Sequence, residues 1–233
     1  MKKILIITGG SRGIGEKTIK FFLKNKWMVI NISRSECSID SVVNFIIDLS
    51  SPDNVDNHTK KFQKHIDKKN IICLVHNAAF YEKDNVASIL LDNLQTTLAV
   101  NVIAPALLNK IFLPRMSCES SIIYIGSTLA EKAVPNSFSY VVSKHAVMGL
   151  MKATCQDLAG KGIHTCCINP GLVDTELLRR TMSKEIMQHL LKNKVMGKRL
   201  IAPDEIAEII YLCATTPILN GATINADLGQ TDS

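Results

Sequence analysis

A chain of 233 residues with a hydrophobic fraction of 46% carries enough apolar material for one large core, so a single domain over 1–233 is expected. The formal charge of +6 comes from lysines spread along the chain with no run of five like charges, and aromatic residues make up only 5%; this argues against a nucleic-acid surface with a basic stripe and stacking rings. Seven scattered cysteines (Cys37, Cys73, Cys118, Cys155, Cys166, Cys167 and Cys213), odd in number and without a Cys-x-x-Cys pair, point to neither a disulfide framework nor a zinc site, and predict a reducing cytoplasm.

In chain order, the apolar run Ile4–Ile7 stops at Thr8-Gly9-Gly10, too soon for a signal peptide, and reads as a first strand near 3–7. It opens through Ser11-Arg12-Gly13-Ile14-Gly15 into an amphipathic helix near 13–25. Further strands are predicted near 28–32, 44–47, 71–75, 121–125, 163–168 and 222–225. Helices are predicted near 53–68, 85–113, 138–160 and 203–214, with a less regular segment at 175–197. No apolar stretch is read as approaching the roughly 20 residues that cross a bilayer, so no membrane association is expected. Short Ile- and Val-rich runs between helical segments imply an α/β architecture: a Rossmann-like, doubly wound, seven-stranded parallel sheet flanked by helices on both faces.

In such a sheet, ligands sit beyond the carboxyl ends of the strands, and here nearly every strand end carries a motif. After the first strand, Gly9, Gly13 and Gly15 permit a tight turn and close backbone approach, and the helix N-terminus offers N–H groups to a pyrophosphate. About 20 residues on, where an NAD-selective site places an acidic residue, the chain has Ser33-Arg34. Arg34 pairs with a 2'-phosphate where an Asp would repel it, and Arg12 in the loop is within reach of the same group, so NADP(H) is the expected cofactor; Arg34 alone also reads as a solvated loop residue.

Tyr140 and Lys144 are four positions apart on one predicted helix, which puts the phenol and the ammonium on one face. A nearby cation lowers a phenol's pKa toward the working range. The spacing alone is common and usually structural; its surroundings give it meaning. Upstream, a strand ends in Gly126-Ser127, where a hydroxyl could bond the substrate oxygen that Tyr140 protonates. Asn101 precedes Pro105 by four positions in a helical run, so the proline cannot donate to the Asn101 carbonyl and a kink is expected there, with an acceptor freed for a water.

These ordered motifs resemble the short-chain dehydrogenase/reductase family in its compact form of about 250 residues, with the match running essentially from end to end. The resemblance implies that Asn101, Ser127, Tyr140 and Lys144 form a catalytic tetrad. It implies cofactor contacts from Gly9, Ser11, Arg12, Gly13, Ile14, Gly15, Ser33, Arg34, Tyr140 and Lys144. The same resemblance adds Asp48 and Leu49 beside adenine, Asn77 and Ala78 after the fourth strand, and Pro170, Gly171, Val173 and Thr175 around the nicotinamide. Arg199 through Ala207 is similar to the segment before the family's penultimate helix. Three positions depart from the pattern: His76 and Ala79 in the usual Asn-Asn-Ala-Gly turn, and Leu228 in the usual Asp-Gly-Gly; if the missing glycines required positive φ, those turns must differ locally.

The expected reaction is NADPH-dependent reduction of a ketone or aldehyde, or the reverse oxidation. Lys144 would hold the nicotinamide ribose, and Asn101 would link Lys144 to solvent through a water. The segment 176–198 is either a Met-bearing substrate lid or a plain surface helix, and Phe80, Ala130 and Val134 are candidates for the wall facing the nicotinamide. A 3-oxoacyl-[acyl-carrier-protein] reductase is the alternative within the class, with Arg115, Lys161, Arg179 and Arg180 as candidates for docking an acidic carrier. A non-catalytic NADP(H)-sensing protein is the alternative outside it. Apolar faces on the helices near 85–113 and 138–160 point to a homotetramer or homodimer, as in the similar family, or to burial within one subunit.

Overall fold

The computed structural model describes residues 1–66 and 69–231. Seven strands form one parallel sheet: β1 (Lys3–Thr8), β2 (Met28–Ser33), β3 (Val42–Ile46), β4 (Ile71–His76), β5 (Ser121–Ile125), β6 (His164–Pro170) and β7 (Ala222–Ala226). Their order is β3-β2-β1-β4-β5-β6-β7, so the chain reverses direction across the sheet between β1 and β4. Ile4 pairs with Met28 on one side and with Ile72 on the other.

Alternating side chains along β1 to β6 feed two separate cores, which is why these strands read as largely apolar runs, whereas β7 packs on the second core alone. Ile4, Ile6, Ile30, Ile32, Ile72, Leu74, Ile122 and Tyr124 enter one layer with Phe62, Leu108, Phe112, Val147 and Met151 from the helices. Leu5, Ile7, Val29, Cys73, Val75, Ile123 and Ile125 enter the other, with Ile19 and Phe22 of α1 (Gly13–Lys24) and Ile206 and Ile210 from a late helix.

The helices depart from expectation where side chains intervene. The helix expected over 53–68 is two short ones, α2 (Pro52–Asn57) and α3 (Thr59–His65), and positions 67 and 68 lie outside the described residues. The helix expected from 85 starts later, as α4 (Leu91–Leu98), because Asn85 Oδ1 accepts from the amides of Ala87 and Ser88 and closes a local turn. After α4 comes a π-helical turn, Ala99–Ile103, and then α5 (Ala104–Phe112), whose second residue is Pro105. The proline lacks an N–H for the Asn101 carbonyl, and the helix accommodates that loss by widening rather than breaking.

The composite run Leu91–Arg115, with 25 residues and a window within it of mean hydropathy 1.5, is long and apolar enough to span a membrane by length and composition, which corrects the expectation that no stretch approaches that size. Its apolar character serves the core, where Ala104, Leu108 and Phe112 are buried against the sheet. The remaining helices are α6 (Phe138–Asp157), α7 (Glu176–Thr181), α8 (Lys184–Lys194) and α9 (Pro203–Thr215).

Two turns bear on the glycine pattern. At the end of α1, Lys26 donates its amide to Leu23 O (2.9 Å) and Trp27 to Phe22 O (3.1 Å), a Schellman closure with Lys26 at φ 64°. After β7, Leu228 stands where the usual pattern has glycine and keeps a positive φ of 54°. The Asp227 carboxylate accepts from the amides of Gly229 (2.9 Å) and Thr231 (2.7 Å) and fixes the loop around that left-handed residue. Ala79, by contrast, is not in the positive-φ region.

Candidate active site

The switch between β1 and β4 is stitched together by Thr8 and Asn77. The amides of Asn77 and Ala78 both donate to Thr8 Oγ1 (3.0 Å each), and Asn77 Nδ2 donates to the carbonyls of Thr8 and Gly9 (3.0 Å each). Gly9 and Gly13 hold φ values of 68° and 57°, which glycine adopts without strain. A Cβ on Gly15 would stand 2.3 Å from Gly9 O, so that position admits no side chain. Arg12 occupies the N-cap of α1 without capping it through its side chain, and the amides of the first turn keep no side-chain cap. A glycine cradle on an uncapped helix start fits the pyrophosphate of a dinucleotide.

The remaining predicted cofactor contacts divide into exposed groups and buried supports. Arg34 is exposed, and Ser11 Oγ meets Ser35 Oγ at the rim. Ser33 is buried and its hydroxyl is committed to Asn31 Nδ2 (2.9 Å), so that hydroxyl is a support of the loop. Asn31 in turn accepts from the Gly10 amide (2.9 Å). Asp48 accepts from the Ser50 amide (2.9 Å); that bond, with Arg34's charge as a lesser cause, holds its carboxyl below the ordinary range. Leu49 and Val173 are core side chains, and Ile14 packs at the margin of the second layer.

Beyond β6, Gly171 donates to Ala226 O (3.1 Å) directly after Pro170, and a Cβ there would meet Asp227 Cα at 2.9 Å. Thr175 caps α7 by accepting from the Leu178 amide (3.3 Å), and its methyl would lie 3.4 Å from a Cβ on Gly13. The start of α7 thus lies over the start of α1.

The four tetrad candidates converge at the carboxyl end of β5. Lys144 is buried and donates to Ile125 O (2.8 Å); its Nζ lies 5.4 Å from the centre of the Tyr140 ring. Burial lowers the Lys144 pKa to about 8. The Ser127 hydroxyl is near enough to the Tyr140 phenol to draw its pKa downward. Burial nevertheless pushes that phenol above the ordinary tyrosine range, with Ser127 pulling downward and Tyr81 adding a smaller push upward. The expected lowering by Lys144 is therefore absent in the protein alone: desolvation dominates, and the ammonium lies over the ring. Asn101 sits in the π turn, where its Oδ1 accepts from the Phe80 amide (2.8 Å) and its Nδ2 donates to Phe80 O (3.1 Å) and Ser143 Oγ (2.9 Å). It meets the neighbour of Lys144 in the chain, not Lys144 itself.

Several supporting residues escaped the sequence reading. Asn169 Oδ1 accepts from the Ser127 amide (3.2 Å), and Glu131 ties Asn169 Nδ2 (3.2 Å) to Asn225 Nδ2 (2.9 Å), fixing the loop that carries Ser127. The buried carboxylate of Asp84 accepts from the amide (3.0 Å) and hydroxyl of Ser139, anchoring the start of α6 one residue before Tyr140. The Tyr81 ring meets Tyr140 edge-on at 5.0 Å, and its hydroxyl reaches Ser137 Oγ (3.0 Å). His76, in place of the usual Asn, is buried and bonds Asn109 (2.8 Å), which donates to Tyr124 Oη (2.6 Å); burial lowers the His76 pKa to about 4, so it is neutral. A polar side chain before Asn77 was visible in the sequence, but its partners lie on other elements.

The family model described as enoyl-(acyl carrier protein) reductase matches residues 11–231. Among curated proteins, the chain is 26% identical to the 3-oxoacyl-[acyl-carrier-protein] reductase FabG of Buchnera aphidicola, over 98% of this chain and 97% of that protein. It is 28% identical to dehydrogenase/reductase SDR family member 6 of Xenopus laevis, over 91% and 88% respectively. Among solved structures, a short chain dehydrogenase family protein from Francisella tularensis superposes with a TM-score of 0.90 at 27% identity, covering 100% of both chains. A 4-hydroxyisoleucine dehydrogenase complexed with NADH shares the fold, with a TM-score of 0.88 at 24% identity, covering 100% of both chains.

Proposed function

The chain belongs to the short-chain dehydrogenase/reductase family of nicotinamide-dependent oxidoreductases, and on that premise we propose that it reduces a small-molecule ketone or aldehyde to an alcohol with NADPH, or runs the reverse oxidation. The observation that carries this reading is the convergence of the Tyr140 phenol, the Ser127 hydroxyl and the buried ammonium of Lys144 at the carboxyl end of β5, with Lys144 Nζ 5.4 Å from the Tyr140 ring centre. A nicotinamide cofactor bound in this cradle would supply a hydride to the carbonyl carbon. Tyr140, whose raised pKa keeps its proton on the oxygen at neutral pH, donates that proton to the substrate oxygen. Ser127 orients and polarises the same oxygen, while the Glu131–Asn169 pair holds the loop beneath it. Lys144 remains largely cationic at pH 7 and would hold the nicotinamide ribose; Asn101 acts through Ser143 and through water to connect this corner to solvent. Gly9, Gly13, Gly15 and the uncapped start of α1 would hold the pyrophosphate, and Arg12 and Arg34 favour the 2'-phosphate of NADP(H).

A second reading, reduction of a 3-oxoacyl group on an acyl carrier, is favoured by the similarity to FabG of Buchnera aphidicola. The two are separated by following NADPH absorbance with acetoacetyl thioesters against simple ketones and aldehydes, with Tyr140→Phe as the control. That variant is expected to lose at least about a hundredfold in turnover while keeping cofactor affinity within about twofold. Substantial turnover in Tyr140→Phe overturns the catalytic assignment, and a wild type that binds NADPH but turns over nothing favours a sensor. The seven free cysteines fit a reducing compartment, and we place the protein in the cytoplasm.

A further inference from the structure

The two arginines assigned to a 2'-phosphate do not stand alone. Arg34 contributes to holding the nearby Asp48 ionised. Arg12 is engaged more directly: its Nη1 lies 2.7 Å from Glu176 Oε2, in the first turn of α7. This pair joins the phosphate loop to the segment that crosses it, beside the close approach of Thr175 to Gly13. Both side chains are well exposed, at 63% and 67% of their surfaces, so the pair is open to an arriving charged group and is not locked in the core.

From this geometry we infer that Glu176 is a specificity-determining residue that competes with the cofactor's 2'-phosphate for Arg12 and thereby keeps the preference for NADPH over NADH small. The inference rests on the assignment of Arg12 and Arg34 to that phosphate. A 2'-phosphate is dianionic over much of the neutral range, and a planar guanidinium recognises it best by presenting two parallel donors. Glu176 already occupies one nitrogen of that fork. The phosphate must displace the carboxylate or accept its repulsion at close range. NADH brings no group to that point and leaves the pair intact. Glu176 therefore subtracts from NADPH affinity alone, by the modest amount an exposed ion pair permits, about two- to fivefold.

The test is direct binding, by calorimetry or fluorescence, of NADPH, NADH, adenosine 2',5'-bisphosphate and adenosine 5'-monophosphate. The proteins compared are wild type, Glu176→Gln, Arg12→Ala and Arg34→Asp. Glu176→Gln is expected to tighten NADPH and the bisphosphate about two- to fivefold while the two ligands without a 2'-phosphate move by much less. Arg12→Ala and Arg34→Asp are expected to weaken selectively the two ligands that carry a 2'-phosphate. If Arg12→Ala does so and Glu176→Gln leaves the ratio of NADPH to NADH affinity unchanged, the competition is overturned while the NADP(H) reading stands. If neither arginine variant changes that ratio and the bisphosphate binds no better than the monophosphate, the cofactor reading fails and this inference fails with it.

Discussion

Lys144 carries a charge where water is nearly absent, with 3% of its surface exposed and the Ile125 carbonyl as its hydrogen-bond acceptor. Its pKa of about 8 in the folded protein lies below its ordinary value of 10.5, so between these values the unfolded chain binds the proton more tightly. The burial penalty is therefore present in full below pH 8 and is relieved as pH rises toward 10.5. In chemical denaturation of the cofactor-free protein, wild type should gain on Lys144→Met by about 2–3 kcal/mol across that window. A constant gap would show that the ammonium is not desolvated. At this scale the sequence disclosed what is local: the glycines after β1, the Tyr140–Lys144 spacing, and Asn101 before Pro105. It did not disclose Glu176 against Arg12, or Asn169 beneath Ser127, because those partners are 164 and 42 positions apart and no short-range pattern links them.

The elements show the same division between local and distant causes. All seven strands were legible, six of them as largely apolar runs serving two cores and β7 as a shorter run around Ile224, and the ends shifted by only a residue or two. The late start of α4 was not, because the residues before it have helical periodicity while Asn85 and Asp84 spend their side chains on other hydrogen bonds. The end of α1 offers a sharper test. Lys26 occupies the left-handed position of the Schellman closure, where an L side chain is strained, while Trp27 packs on Phe22 with ring centres 5.1 Å apart and holds the turn in place. Lys26→Gly removes that strain and is expected to stabilise the protein by about 0.5–1 kcal/mol, raising Tm by about 1–4 °C by differential scanning calorimetry. A lower Tm would mean that the glycine's added freedom in the unfolded chain outweighs the strain.

Across the whole molecule, α4, the π turn and α6 leave apolar side chains in water: Leu91 is 66% exposed, Ile103 42%, Phe138 39% and Val142 41%. Placement of these side chains outside both cores favours self-association of the chain through these helices, and we propose a homotetramer. Light scattering is expected to give a mass four times 25.7 kDa, and a species of 25.7 kDa would overturn it. The sheet at the centre has a further consequence, one of timing. All its pairings are parallel, so none can begin as a hairpin: Ile4 finds Ile72 only after 68 intervening steps along the chain, and Cys166 finds Ala222 only after 56. The rate-limiting events of folding should therefore be long loop closures, made before most of the hydrophobic reward is collected. During synthesis β1 can join β2 early, but its other edge must wait for β4, leaving an Ile-rich strand unpaired while the intervening chain emerges.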